Sequence, residues 1–183
     1  VVVFTGVEDP EALALAIRRP IPRSQDPYSR RGTQFHAWVE KQFSAMTLFD
    51  DIDLDYFDPI EEDGKLEDLK KSWLASEYAQ RKPAAIEVPF ESVIAGVLVR
   101  GRIDAVYETP DGFEVVDWKT GSKQLGQSAA IQLAMYRLAW ARLKSIDVSK
   151  VSAAFHYVPT SVTDKRADLL DEAALVSLIQ SLQ

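Results

Sequence analysis

Cysteine is absent from the 183 residues. Disulfides, thiolate zinc sites and iron–sulfur clusters are thereby excluded, and the composition is compatible with a reducing cytoplasm. Any bound metal must rest on oxygen or imidazole, and the chain offers two histidines, His36 and His156. Long apolar runs are also missing. The opening Val1-Val2-Val3-Phe4 lacks the charged start of a secretory signal and the length of a membrane span. With no initiating methionine, the chain reads as a soluble piece excised from something longer. No Gly-x-x-x-x-Gly-Lys-Ser/Thr loop occurs, so the sequence carries no nucleotide-driven motor of its own.

Positive charge is in deficit: 21 Lys and Arg stand against 28 Asp and Glu, a formal net charge of -7. On its face this disfavours a nucleic-acid partner, because cation–phosphate contacts supply most nonspecific affinity. The deficit is local. Asp50, Asp51, Asp53, Asp55, Asp58, Glu61, Glu62 and Asp63 fall in one stretch without Lys or Arg; removing these eight from the 28 acids leaves 20 against 21 bases. Such a run is ordinarily a solvated face or a flexible insert.

An apolar content of 46% over this length suits one core, so 1–183 is read as a single domain. Asp9-Pro10 has the cap and first-turn proline of a short helix that ends before Pro20. Gly32-Thr33 opens a second helix, in which Phe35, Trp38, Val39, Phe43 and Met46 recur at the spacing of one buried face. Helical spacing returns through Leu66, Leu69, Trp73 and Leu74, so 50–82 reads as an acidic and helical insertion. From Ala85 the texture becomes β-branched and aromatic, predicting strands over 86–90, 97–107 and 113–118. Thr109-Pro110-Asp111-Gly112 has the chemistry of a tight antiparallel turn. A long helix over 127–143, a fourth strand over 151–158 and a final helix capped by Asp171 complete the order. The fold class expected is α/β, a mixed four-stranded sheet flanked by helices.

The informative stretch is Gly101-Arg102-Ile103-Asp104, followed after twelve residues by Asp117-Trp118-Lys119-Thr120-Gly121. On neighbouring antiparallel strands, Asp104 and Asp117 can aim their carboxylates at one point. Two carboxylates about 4 Å apart repel by roughly 4 kcal/mol at an effective dielectric near 20, so the pair calls for a proton, a cation or separation. A divalent ion on hard oxygen ligands, magnesium or manganese, answers that need. It would polarise a phosphoryl oxygen and supply hydroxide. Lys119, two positions after Asp117, shares its strand face and can bring an ammonium to the same centre.

Four markers stand in order: Gly32-Thr33-Gln34-Phe35-His36, Gly101-Arg102-Ile103-Asp104, Asp117-Trp118-Lys119-Thr120-Gly121 and Gln132-Leu133-Ala134-Met135-Tyr136. Together they resemble the RecB-type branch of the PD-(D/E)xK nucleases, found at the C-termini of RecB-, AddAB- and UvrD-like bacterial helicase–nucleases. The resemblance covers most of the chain and implies a restriction-endonuclease-like core. It implies a magnesium-dependent deoxyribonuclease, with manganese able to substitute, acting on DNA in double-strand break repair and recombination. His36, Asp104, Asp117 and the backbone carbonyl of Trp118 would hold the ion, and Lys119 would be the catalytic lysine beside Asp117 and Asp104. Gln132 and Tyr136, one helical turn apart, would support the active site or substrate. Glu87 matches an accessory acid of some relatives. A helicase motor in the same chain, and a partner subunit, are the implied associates. Relatives that bind an iron–sulfur cluster use four cysteines, from which this chain departs.

Blander readings stand beside these. His156, between Phe155 and Tyr157, reads as structural. Arg18, Arg19, Arg23, Arg30 and Arg31 bracket a loop before His36 and either guide a phosphate backbone or are merely solvated. A nuclease fold that only binds DNA or a helicase partner is the main rival. A small-molecule phosphoesterase is another, and it requires a closed pocket.

Overall fold

The computed structural model describes residues 27–47, 64–121, 127–167 and 169–181. The helix expected before Pro20, the acidic run, the side chain of Met46 and Leu182 lie outside the described residues. The elements are α1 (Pro27–Thr47), α2 (Gly64–Leu74), α3 (Glu77–Gln80), β1 (Ala85–Ile94), β2 (Val97–Thr109), β3 (Gly112–Lys119), α4 (Gln127–Lys144), β4 (Val151–Tyr157), β5 (Val162–Arg166) and α5 (Glu172–Ser181).

The strands form one sheet in chain order. β1, β2 and β3 are successively antiparallel, β3 and β4 are parallel, and β4 and β5 are antiparallel. The parallel step needs a long crossover, which α4 supplies. At the β2–β3 turn, Gly112 has φ +150°, and a Cβ there would lie 2.0 Å from the Lys150 carbonyl oxygen. Only glycine lets the turn pass so close to the segment entering β4.

The α/β class and the mixed sheet flanked by helices are as expected, but the sheet has five strands, not four. β5 reads Val162-Thr163-Asp164-Lys165-Arg166 and pairs with β4 at the sheet edge. Its three charges hide it from an apolar pattern, because an edge strand needs apolar residues on one side at most. α1 begins at Pro27, five residues ahead of Gly32, so Arg30 and Arg31 are helical and not part of a loop.

Two apolar layers sandwich the sheet. On one face Phe35, Val39 and Phe43 of α1 meet Leu69 and Trp73 of α2, Tyr78 of α3, and Ala105, Tyr107, Val116 and Trp118 of the strands. The helical part of the segment read as an insertion thus contributes its largest aromatics to this core. On the other face Leu133, Tyr136 and Trp140 of α4 cover Ile103, Val106, Val115, Ala153 and Phe155. α5 and the outer part of α4 clasp Ile94 and Val99 of the β1–β2 hairpin. α4 is buried around most of its circumference from Ile131 to Ala141, while Leu143 emerges into solvent. No helix among the described residues is long and apolar enough to cross a membrane.

Candidate active site

The site forms where β2 leaves β3. Their ladder ends at Ala105↔Val116. Beyond it the backbone N–H of Trp118 donates 2.8 Å to Asp104 Oδ2. A carboxylate therefore takes the place of a strand partner, and the opening so created is lined by polar atoms. Glu87 falls between the pairs Ile86↔Ala105 and Val88↔Ile103, level with Asp104 on the other side of β2.

Glu87 is also a point of strain, with φ +48°. Left-handed backbone costs a residue bearing a Cβ on the order of 1 kcal/mol, and such strain persists where the surroundings enforce it. The alternation of both strands slips here. Ala85 and Val88 pack toward α4 while Ile86 packs toward α1; Ile103 and Val106 pack toward α4 while Ala105 and Tyr107 pack toward α1. Glu87 and Asp104 occupy the slip and escape both apolar layers.

His36 of α1 meets them. Its Nδ1 is 3.2 Å from Glu87 Oε1 and 3.5 Å from Asp104 Oδ1. One ligand-type atom from each of His36, Glu87 and Asp104 lies within 4.8 Å of the other two. Burial pulls the His36 pKa down, but Asp104, the Glu87 hydrogen bond and charge, and Asp117 overcome it and lift the value to about 9. Burial pushes Asp104 up to about 7; Asp117 and Glu87 add to the rise, and His36 and Lys119 oppose it. Both displacements have one origin, namely more negative charge than this desolvated space accommodates.

Asp117 anchors an adjoining network on the α4 side of β3. Its Oδ1 accepts 3.1 Å from Gln132 Nε2, which also donates 2.7 Å to Tyr136 Oη. Lys119 Nζ is 2.7 Å from Asp117 Oδ2, in ion-pair contact, and donates to Gln132 Oε1 at 3.4 Å. The ammonium lies 5.2 Å from the centre of the Phe155 ring. Burial would lower the Lys119 pKa, but the Asp117 charge and hydrogen bond, helped by Asp104, raise it, so the amine stays cationic. Burial and the neighbouring charges of Asp117 and Asp104 push Tyr136 well above its ordinary value, so its hydroxyl stays neutral.

The acids, His36, Lys119, Gln132 and Tyr136 expected at the site fall into two neighbouring groups. His36, Glu87 and Asp104 gather in one group; Asp117, Lys119, Gln132 and Tyr136 form the next. Asp117 is not in the close ligand group, although its charge acts on both Asp104 and His36. The Trp118 indole is buried in the α1–α2 layer, and its backbone N–H reaches Asp104. Arg102 had no role assigned from sequence, yet its guanidinium is 3.4 Å from Glu87 Oε2. The signal was its place two residues before Asp104. His156 is buried, with Nδ1 3.0 Å from Thr163 Oγ1. Arg18, Arg19 and Arg23 lie outside the described residues.

A profile of the PD-(D/E)XK nuclease superfamily matches residues 12–177. The chain belongs to this superfamily. Among solved structures, one described as a "Putative exonuclease" from Eubacterium rectale superposes with a TM-score of 0.53 at 13% identity, over 88% of this chain and 65% of that one. At such identity the likeness concerns the fold alone, and this chain spans just under two thirds of that protein's length. A second, SSO0001, is 17% identical with a TM-score of 0.40, over 94% of this chain and 82% of that one. No curated protein matches the chain. PD-(D/E)XK nucleases typically use a divalent metal, and the donors here suit one. An imidazole and two carboxylates form a hard, anionic set without thiolate.

Proposed function

We propose that this chain is a RecB-type, divalent-metal-dependent deoxyribonuclease domain that works with a helicase motor in double-strand break repair and recombination. The observation that carries the reading is the meeting of His36, Glu87 and Asp104 beside the Asp117–Lys119 pair at the point where β2 and β3 part. Magnesium is the proposed ion, manganese its substitute, and a cytoplasmic setting fits a chain without cysteine.

His36, Glu87 and Asp104 would hold the ion, with Asp117 and the Trp118 carbonyl completing its surroundings. When bound, it supplies Lewis acidity toward a phosphodiester oxygen and eases deprotonation of an attacking water. Lys119 is cationic and half enclosed, so it orients that water and offsets charge growing on the phosphoryl oxygens. Asp117 fixes the ammonium, Gln132 fixes Asp117, and Tyr136 accepts the remaining Gln132 proton. Hydrolysis joins water oxygen to phosphorus and breaks one phosphorus–oxygen ester bond; the departing alkoxide takes up a proton, leaving a phosphomonoester and a neutral alcohol. No covalent enzyme intermediate is required, because every group in the site serves a water attack.

The test is degradation of single-stranded DNA with magnesium or manganese. We expect cleavage by the wild-type chain, abolished by EDTA and reduced about a hundredfold or more in Lys119→Met and Asp117→Asn, the scale for removing a group that stabilises transition-state charge. Binding of DNA without cleavage under every divalent condition would instead select the non-catalytic module. Manganese-soaked crystals with the ion away from Asp104 would overturn the ligand assignment.

A further inference from the structure

Beyond the slip at Glu87 and Asp104, the β1–β2 hairpin leaves the sheet with its own two faces. Phe90, Ile94, Val99 and Ile103 pack toward α4 and α5. The alternate residues Pro89, Glu91, Val93, Leu98, Arg100 and Arg102 are all exposed. Their order is not random. Arg102, 62% exposed, touches Glu87 at the mouth of the site. Arg100, 55% exposed, lies two residues further out on the same face. At the far end Val93 and Leu98 pair directly across the strands and are 58% and 44% exposed. Strand geometry separates each step by about 7 Å, two residues' rise. The face therefore offers two guanidinium groups in line with the candidate site and then an apolar pair.

We propose that this hairpin face is a track for single-stranded DNA, with Arg102 and Arg100 taking successive phosphates and Val93 and Leu98 lying against bases. The proposal rests on the nuclease reading above and adds where the strand outside the reacting phosphate is held. Guanidinium forks suit phosphate oxygens, and a strand presenting phosphate and base in alternation needs cationic and apolar partners together. Arg100 is now held 2.6 Å from Glu91 Oε2. Both groups are solvent-exposed, and an ion pair of that kind contributes little to stability, so the guanidinium can exchange carboxylate for phosphate. Glu91 thereby acts as a competitor for the phosphate.

The experiment measures anisotropy of a fluorescein-labelled thymidine homopolymer in calcium buffer over a range of salt. Alongside it runs hydrolysis, in magnesium or manganese, of thymidine 5′-(p-nitrophenyl phosphate), a diester too small to reach the hairpin. Arg100→Ala should weaken binding about five- to tenfold and reduce the log–log salt slope by about 0.7, as loss of one phosphate contact on a single strand requires. The pair Val93→Ser and Leu98→Ser should weaken it about fivefold and leave the slope alone, since apolar contact releases no counterions. Glu91→Gln should tighten binding severalfold, the opposite sign from a pair that merely holds the hairpin together. Small-diester hydrolysis and thermal unfolding should be unaltered in all three. No binding by the wild-type chain, an unchanged Arg100→Ala, or weaker binding by Glu91→Gln would overturn the track. If the variants behave as expected but the wild type cleaves neither the small diester nor single-stranded DNA with magnesium or manganese, the nuclease reading fails and the binding surface stands. Hydrolysis of the small diester with indifferent variants refutes the track alone.

Discussion

At Glu87 the chain tolerates a backbone conformation that glycine takes without penalty. The strain makes the carboxylate's usefulness separable from its effect on stability. Glu87→Ala and Glu87→Gly both delete the acid beside His36, and both should lower manganese affinity at least tenfold in calorimetric titration, the scale for losing one of few ligands. They should differ in folding: the glycine variant should be more stable than the alanine variant by about 1 kcal/mol in urea unfolding, because only alanine keeps a Cβ in the left-handed region. Equal stabilities would mean that the strand relaxes there. His156 offers a second handle. It is buried, its Nε2 has no hydrogen-bond partner among the described residues, and burial lowers its pKa below 6.5. The unfolded chain, with pKa near 6.5, takes the proton first as pH falls. Stability from neutral His156 is therefore complete above that pH and lost as pH descends toward the folded value. Across about pH 7.5 to 5.5, wild type should lose stability relative to His156→Phe, and above about 7.5 the difference should be constant. The comparison cancels the titration of Asp104 and His36; a flat difference would show that His156 is not held neutral.

Among elements, the β1–β2 hairpin depends most on a single missing side chain. A Cβ on Gly101 would lie 2.7 Å from Phe90 Cε1, so the ring of its cross-strand partner fills the space a side chain would take. That ring meets Tyr136 edge-on at 5.6 Å, and the Tyr136 hydroxyl receives the Gln132 amide that also holds Asp117. Gly101→Ala should destabilise by about 1–3 kcal/mol, the cost of overpacking. Combined with Phe90→Ala it should cost less than the two single changes added, since the clash needs both partners. Additive penalties in thermal unfolding would mean the ring is not seated there. The same region explains what was legible in sequence. Ile86, Val88, Ile103, Val106, Val115 and Val116 announce strands through β-branched density, and Asp104, Asp117 and Lys119 stand close to where the chain pattern puts them. Other features carry no local signal. α1 starts early because Pro27 serves as a first-turn residue, whereas in a proline-punctuated stretch it reads as a loop. β5 is too charged to resemble a core strand. The two-residue strand spacing brings Lys119 to Asp117, but no spacing rule says that Asp117 pairs with Gln132 while Glu87 joins His36 and Asp104, because that division arises from the paired slip in β1 and β2.

For the whole molecule, the site is the seam between its two cores. His36 comes from the helix layer on one face, Gln132 and Tyr136 from the helix on the other, and Glu87 and Asp104 from the slip between them. In the metal-free chain, excess negative charge is offset by the proton on His36 and by raising the Asp104 pKa to about 7. A cation taken up by the native state alone should relieve that cost and tie α1 to the strands. Ligation of this kind stabilises by RT ln(1 + [L]/Kd), about 2.7 kcal/mol at a hundred times Kd. Manganese or magnesium should therefore raise the melting temperature in a concentration-dependent way that EDTA reverses. Asp104→Asn and His36→Ala should lose most of that shift, although Asp104→Asn should itself make the metal-free chain no less stable, since it removes a buried charge among acids. Arg100→Ala, out on the hairpin, should keep the full shift. If the melting temperature ignores divalent ions while the variants remain folded, the cluster is held together by its proton and has no place for a metal.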